Sequence, residues 1–220
     1  MSLKAVLFDM DGVIVDTEPL HRKAYFKMFE EFEIDVSAEL YASFAGATTR
    51  RVCRTLIENF NLKTSMEEMF TSKRKHFKEL FYSDKDFGLI EGVKELIEHY
   101  YENDIKLVLA SSASHTTINM VFDKFKLDEF FIDKISGEDL KASKPHPEIF
   151  IKASEIAQEN KNNCIVIEDS TNGIIAAHKA GIFCAGYNGG NTHHQDFTLA
   201  NIVVKDFKDL TINKINAYLD

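Results

Sequence analysis

The chain has 220 residues, enough for one medium domain carrying a smaller insert. Its 45% hydrophobic and 28% charged residues exclude a disordered chain and predict a sizeable core. With 26 basic against 35 acidic residues the formal net charge is −9, which disfavours nucleic-acid and anionic-membrane partners while leaving room for a local basic pocket.

The first predicted element is a buried strand over residues 4–8 that stops at Asp9. A long region without clear strands follows, with helical spacing over 20–32, 51–60 and 66–81. Its phenylalanines, among them Phe26, Phe29, Phe60, Phe70 and Phe77, are read as helix packing rather than a cofactor box. After Gly88 the pattern alternates: helix 91–101, strand 106–110, helix 116–125, a short strand near 131–135, helix 147–157, strand 164–167, helix 172–180 and strand 183–187. Such alternation implies right-handed βαβ crossovers and a parallel sheet. The continuous apolar runs at 106–110 and 164–167 fit strands covered on both faces. The predicted fold is a doubly wound, Rossmann-like α/β core made of residues 1–14 and 86–220. A small all-helical cap domain, 15–85, is inserted after the first strand.

No apolar run reaches the ~18–20 residues of a membrane span, and MSLKAVLFDMDG lacks the layout of a secretion signal. Cys53, Cys164 and Cys184 are widely spaced and form no CxxC pair, so buried free thiols and a cytoplasmic location are expected.

Four polar clusters follow strands or sit in equivalent loops, where open α/β sheets place their ligands. They are Asp9-Met10-Asp11-Gly12, Ser111-Ser112, Lys144-Pro145 and Glu168-Asp169-Ser170. Each alone has a plain reading as a turn, a helix cap or a solvated charge. Together they suggest phosphoryl transfer. A carboxylate attacking phosphorus gives an acyl phosphate that water can resolve, splitting one hard displacement into two easier ones. Asp9 and Asp169 offer hard oxygen ligands suited to Mg²⁺, which offsets the repulsion between Asp9 and an anionic substrate. Ser111 and nearby amides can donate to phosphoryl oxygens, and Lys144 can balance their charge. Asp11, two residues from Asp9, suits protonation of the leaving group and then proton removal from water. An EF-hand does not fit, because the loop lacks the later acidic positions.

The strings FDMDGVIVDTEPLH, LASSAS, SKPHPEIF and IEDSTNGIIAAHKAG resemble the haloacid dehalogenase superfamily of aspartate-nucleophile phosphotransferases. More narrowly, they resemble its β-phosphoglucomutase-like phosphatase branch. The resemblance runs through essentially the whole chain. It implies Asp9 as nucleophile, Asp11 as general acid/base, and Ser111, Ser112 and Lys144 as phosphate-binding residues. Mg²⁺ would be held by Asp9, Asp169 and the Asp11 carbonyl, with Glu168 ligating directly or through water. The presence of Asp11 argues against halide chemistry.

In the cap, His21 and the 46–50 stretch, with Thr48 and Arg50, resemble positions that touch substrate in relatives. Mutases of this branch carry an Arg three residues after the corresponding glycine, where this chain has Thr49, so hydrolysis is preferred and a sugar phosphomutase is the alternative. A non-enzymatic phospho-acceptor or binding module is the remaining competitor. The Lys73-Arg74-Lys75 run reads as a solvated helix face, with an anion contact as its alternative. The His193-His194 pair reads as solvent-exposed rather than metal-binding. The expected partner is a small phosphorylated metabolite, most simply a sugar phosphate, with no nucleic acid and no membrane, the protein being a monomer or weak dimer.

Overall fold

The computed structural model describes residues 2–44, 47–189 and 194–219. The chain divides into two compact units, Met1–Asp16 with Gly88–Asp220, and Thr17–Phe87. Helices α1 (Glu18–Glu31), α2 (Ala38–Ala42), α3 (Thr49–Phe60) and α4 (Met66–Ser83) belong to the second unit. Helices α5 (Val93–Glu102), α6 (His115–Phe125), α7 (Glu148–Ala157), α8 (Thr171–Ala180) and α9 (Ile212–Leu219) belong to the first.

The first unit is built on strands β1 (Ala5–Phe8), β2 (Lys106–Ser111), β3 (Asp133–Ser136), β4 (Cys164–Glu168), β5 (Phe183–Tyr187) and β6 (Ile202–Val204). They form one parallel sheet in the order β3-β2-β1-β4-β5-β6. This is a doubly wound, Rossmann-like core. Strand order reverses between β1 and β4, whose register pairs Phe8 with Ile167, so the chain leaves both strands at one switch point.

Alternation along the strands explains the two covered faces. Ala5, Leu7, Val108, Ala110, Cys164 and Val166 join Ile149, Phe150, Ala153, Ile174 and Ala177 of α7 and α8 in one buried cluster. Phe8, one residue out of phase, packs edge-on against Tyr100 of α5 and Phe131. Each such fully buried large side chain contributes about 1.5–3 kcal/mol. That burial holds the polar strand ends in place.

In the second unit Met28, Phe29, Val52, Cys53, Leu56 and Met69 form a separate core. Three of its four helices start on side-chain caps: Ser37 for α2, Thr48 for α3, and a Ser65–Glu68 capping box for α4. Among its described residues there is no strand.

Three elements have no counterpart in the sequence reading: α2, β6 and α9. The strand expected near 131–135 is shifted to 133–136, because Phe130 N–H bonds back to Leu127 and Ile132 N–H to Leu107 before pairing with β2 proper begins.

Candidate active site

Three carboxylates converge beyond β1 and β4. One oxygen each from Asp9, Glu168 and Asp169 lies within 4.8 Å of the others. Asp9 directly follows β1, and its backbone N–H donates to Ile167 O at 3.0 Å, locking the two strand ends together. Lys144 comes from the loop before α7. Its Nζ donates to Asp9 Oδ1 at 2.5 Å and to Glu168 Oε1 at 2.8 Å, and sits 4.9 Å from the Phe150 ring centroid. The other Glu168 oxygen accepts from Ser170 N–H at 2.6 Å and Ser170 Oγ at 2.9 Å, at the N-terminus of α8.

The electrostatics follow from burial. The side chains of Lys144, Asp9 and Glu168 are 6%, 9% and 1% exposed. Desolvation, reinforced by Glu168 and Asp11 and opposed by Lys144, pushes the Asp9 carboxyl up to about 7. Desolvation and the charges of Glu168 and Asp9 push Asp169 up to about 8. Burial disfavours the Lys144 ammonium, but Asp9 and Glu168 outweigh it and hold its pKa above the usual lysine value. Once ionised, three crowded carboxylates outnumber the single ammonium and present hard oxygen donors. That donor set fits a divalent cation of the Mg²⁺ type.

Ser111 closes β2 and is buried, its Oγ accepting from Ala113 N–H at 3.1 Å. Ser112 is exposed. Asp11 lies in the turn after Asp9, where Gly12 N–H donates to Val15 O at 2.7 Å. The three cysteines are free and buried, and burial pushes their thiols up. They are therefore poor nucleophiles.

The helical unit carries its own pocket of about 270 Å³, lined by Glu18, His21, Tyr25, Tyr41, Phe44, Thr49 and Lys73, among others. Lys73 corrects the sequence reading: far from being a solvated helix face, it is only 5% exposed. Its Nζ donates to His21 Nδ1 at 2.7 Å and lies 5.0 and 5.1 Å from the Tyr25 and Phe77 ring centroids. The missed signal was its phase. Lys73 is four residues from both Met69 and Phe77, on the buried face of α4. His21 stacks on Phe77 at 4.3 Å.

Thr48 and Arg50 make other contacts in this structure. Thr48 is spent as the α3 cap, accepting from Arg51 N–H, and Thr49 lines the pocket instead. Arg50 pairs with Glu67 at 2.7 Å over the Phe70 ring, in a half-exposed position, and is not among the pocket's lining residues. Gly46 and His193 lie outside the described residues, and His194 is exposed. A larger cavity of about 510 Å³ in the first unit, beside Gly92, His99 and Phe207, contains none of the converging acidic residues.

Fold and site together define a Rossmann-like α/β enzyme with a carboxylate–lysine centre at its switch point. The sequence profile of the haloacid dehalogenase-like hydrolases matches residues 6–187, and the chain belongs to that family. It is 32% identical over 184 residues to a phosphorylated carbohydrates phosphatase of Thermotoga maritima, covering 82% of each chain. It is 26% identical over 219 residues to β-phosphoglucomutase of Bacillus subtilis, covering 97% of this chain and 94% of that one. The crystal structure of β-phosphoglucomutase from Clostridium difficile superposes with a TM-score of 0.76 at 29% identity, covering 99% and 97% of the two chains.

Proposed function

We propose that the protein is a Mg²⁺-dependent phosphatase that hydrolyses a small phosphomonoester, a sugar phosphate, through an aspartyl-phosphate on Asp9. The observation that carries this reading is the buried Asp9 carboxylate held by Lys144 Nζ inside a three-carboxylate cluster at the switch point. In the first half-reaction an Asp9 oxygen bonds to phosphorus as the ester P–O bond breaks. Asp11 gives its proton to the departing alkoxide. In the second half-reaction Asp11 takes a proton from water as the water oxygen bonds to phosphorus, and the Asp9–phosphate bond breaks to release inorganic phosphate. Lys144 and Ser111 balance and orient the phosphoryl oxygens.

Asp9, Asp169 and the Asp11 carbonyl would hold the cation, which supplies charge neutralisation between the carboxylates and the anionic substrate. Both Glu168 oxygens already accept bonds, from Lys144 and from Ser170. That favours contact with the cation through water and a main role in fixing Lys144.

The pocket of the helical unit supports a small, oxygen-rich substrate. Its buried Lys73 ammonium and Thr49 hydroxyl offer donors, and Tyr25 and Tyr41 offer flat apolar walls. One phosphatase among the relatives is named for phosphorylated carbohydrates. The second reading, a sugar phosphomutase, needs a grip for a second phosphate. Lys73 lines the pocket and Arg50, paired with Glu67, does not, so Lys73 is the cation that favours it.

The test is steady-state turnover of p-nitrophenyl phosphate and sugar phosphates with Mg²⁺. Wild-type protein should release phosphate, and Asp9→Asn should not. Equal background rates from both would end the phosphatase reading. Rapid glucose 6-phosphate formation from glucose 1-phosphate with a trace of the bisphosphate, with little free phosphate, would establish the mutase instead.

A further inference from the structure

Two of the three clustered carboxylates occupy space that a β-carbon would otherwise fill. A methyl group built on Gly173 would lie 1.6 Å from Glu168 Oε1 and 1.9 Å from its carboxyl carbon. One built on Gly12 would lie 2.0 Å from Asp169 Oδ2 and 2.3 Å from its carboxyl carbon. The two glycines come from separate segments, the turn after β1 and the first turn of α8, yet each backs onto a different acid of the same cluster.

Gly12 has a conformational reason to be glycine, its φ of +84°. Gly173 has none: it lies in the regular helix α8 and is not among the positive-φ residues. Glycine inside a helix is unfavourable relative to alanine, so its presence calls for another reason, and the Glu168 carboxylate pressed against its α-carbon supplies one. That carboxylate cannot retreat freely. Lys144 holds one oxygen at 2.8 Å and Ser170 N–H holds the other at 2.6 Å.

We infer that Gly173, with Gly12 as its counterpart for Asp169, is a positioning residue that sets where the acidic cluster presents its oxygens to a divalent cation. The inference rests on reading that cluster as a cation site. A side chain at 173 would push Glu168 off both its partners, loosening Lys144 from Asp9 as well as displacing an acid. Gly173 acts through Glu168.

The experiment measures Mn²⁺ binding by calorimetry and apo-protein melting in chelator for wild type, Gly173→Ala, Glu168→Asp and the Glu168→Asp/Gly173→Ala double variant. Gly173→Ala should weaken Mn²⁺ binding at least about tenfold, the scale on which supporting residues tune metal sites. Glu168→Asp should weaken binding in the wild-type background. In the Gly173→Ala background the shorter acid withdraws from the new methyl, so there the same change should strengthen binding at least about threefold. Wild-type affinity in Gly173→Ala, or a double variant no better than Gly173→Ala, would overturn the inference. Should Gly173→Ala fail to fold, melting in a Glu168→Ala background decides. With the carboxylate gone, adding Gly173→Ala should raise the melting temperature by about 2 °C, and a fall there would show that the clash is not with Glu168. If wild-type protein binds no Mn²⁺ at millimolar concentration, the cation reading of the cluster fails on its own, separately from the steric relation between Gly173 and Glu168.

Discussion

Lys144 Nζ and Asp9 Oδ1 meet at 2.5 Å across 135 residues of sequence, and Glu168 Oε1 accepts from the same ammonium. The loop carrying Lys144 is anchored by Ile149 and Phe150 of α7, both fully buried in the cluster that also holds Leu7 and Val166. Packing of one sheet face therefore brings a cation to acids that would otherwise repel one another. An ion group this buried is worth little as a source of net stability, yet it is costly to break on one side only.

Replacing Lys144 with Met should therefore lower both stability and activity. Asp9 and Glu168 would be left as buried carboxylates without their shared ammonium, at a cost of about 3 kcal/mol in urea unfolding at neutral pH. Phosphate release should fall about 10²–10³-fold, the scale of losing one donor aimed at a transition-state anion. A variant with wild-type stability would mean that Lys144 does not neutralise the pair in solution.

Asp169→Asn should act in the opposite direction on the apo-protein. Desolvation and the charges of Glu168 and Asp9 push the Asp169 carboxyl up to about 8, so a neutral amide relieves an electrostatic cost. Melting temperature without metal should rise by about 2–4 °C for each kcal/mol relieved. Adding Mg²⁺ should stabilise wild-type protein, by about 2.7 kcal/mol at a hundredfold excess over its dissociation constant, and should leave Asp169→Asn unmoved. Equal Mg²⁺-induced shifts in both proteins would remove Asp169 from the cation site.

These sites were legible in the sequence to different degrees. Asp9, Ser111 and the Glu168-Asp169 pair each follow a continuous apolar run, and such a run in an alternating β/α pattern reads as a buried parallel strand. Lys144 needed the order of the clusters as well, since its loop follows a strand of four residues with exposed Asp133. The strand β6 and helix α2, of three and five residues, are too short to show any period and form only because neighbours cover them. Three consecutive basic residues look solvated in the sequence, whereas helical phase places the first of them, Lys73, with Met69 and Phe77. Gly173 was invisible for another reason, since the meaning of a missing side chain lies in what stands opposite it.

Lys73→Met should separate stability from recognition. Burial, only partly offset by the attraction of Glu18, lowers the Lys73 pKa to about 8, so below that pH the fold carries an unfavourable charge. The unfolded chain binds the extra proton between about pH 8 and 10.5, so this cost fades as pH rises through that window. A methionine of similar shape should raise stability at pH 7 by about 1–2 kcal/mol. It should also reduce kcat/KM for a sugar phosphate about tenfold, while sparing p-nitrophenyl phosphate, which has no hydroxyls for the ammonium to hold. Equal loss on both substrates would place Lys73 in the fold alone.

His21 gives the helical unit a defined acid sensitivity. Burial first, and the neighbouring Lys73 ammonium second, lower its pKa from 6.5 to about 3. Between those values the unfolded chain holds a proton on this ring that the folded chain refuses. Stability therefore rises with pH across that window and is lost as pH falls from 6.5 towards 3, by up to about 1.4 kcal/mol per pH unit. The ring cannot escape by turning, because it is stacked on Phe77 while Nδ1 accepts from Lys73. His21→Gln keeps an acceptor and removes the titration. Urea unfolding of both proteins from pH 8 to 4 should give curves that run parallel above about pH 7 and diverge below 6.5, with wild type falling more steeply. Curves that stay parallel down to pH 4 would show that the folded protein protonates His21 as readily as the unfolded chain does, and that the Lys73 contact does not hold the ring neutral.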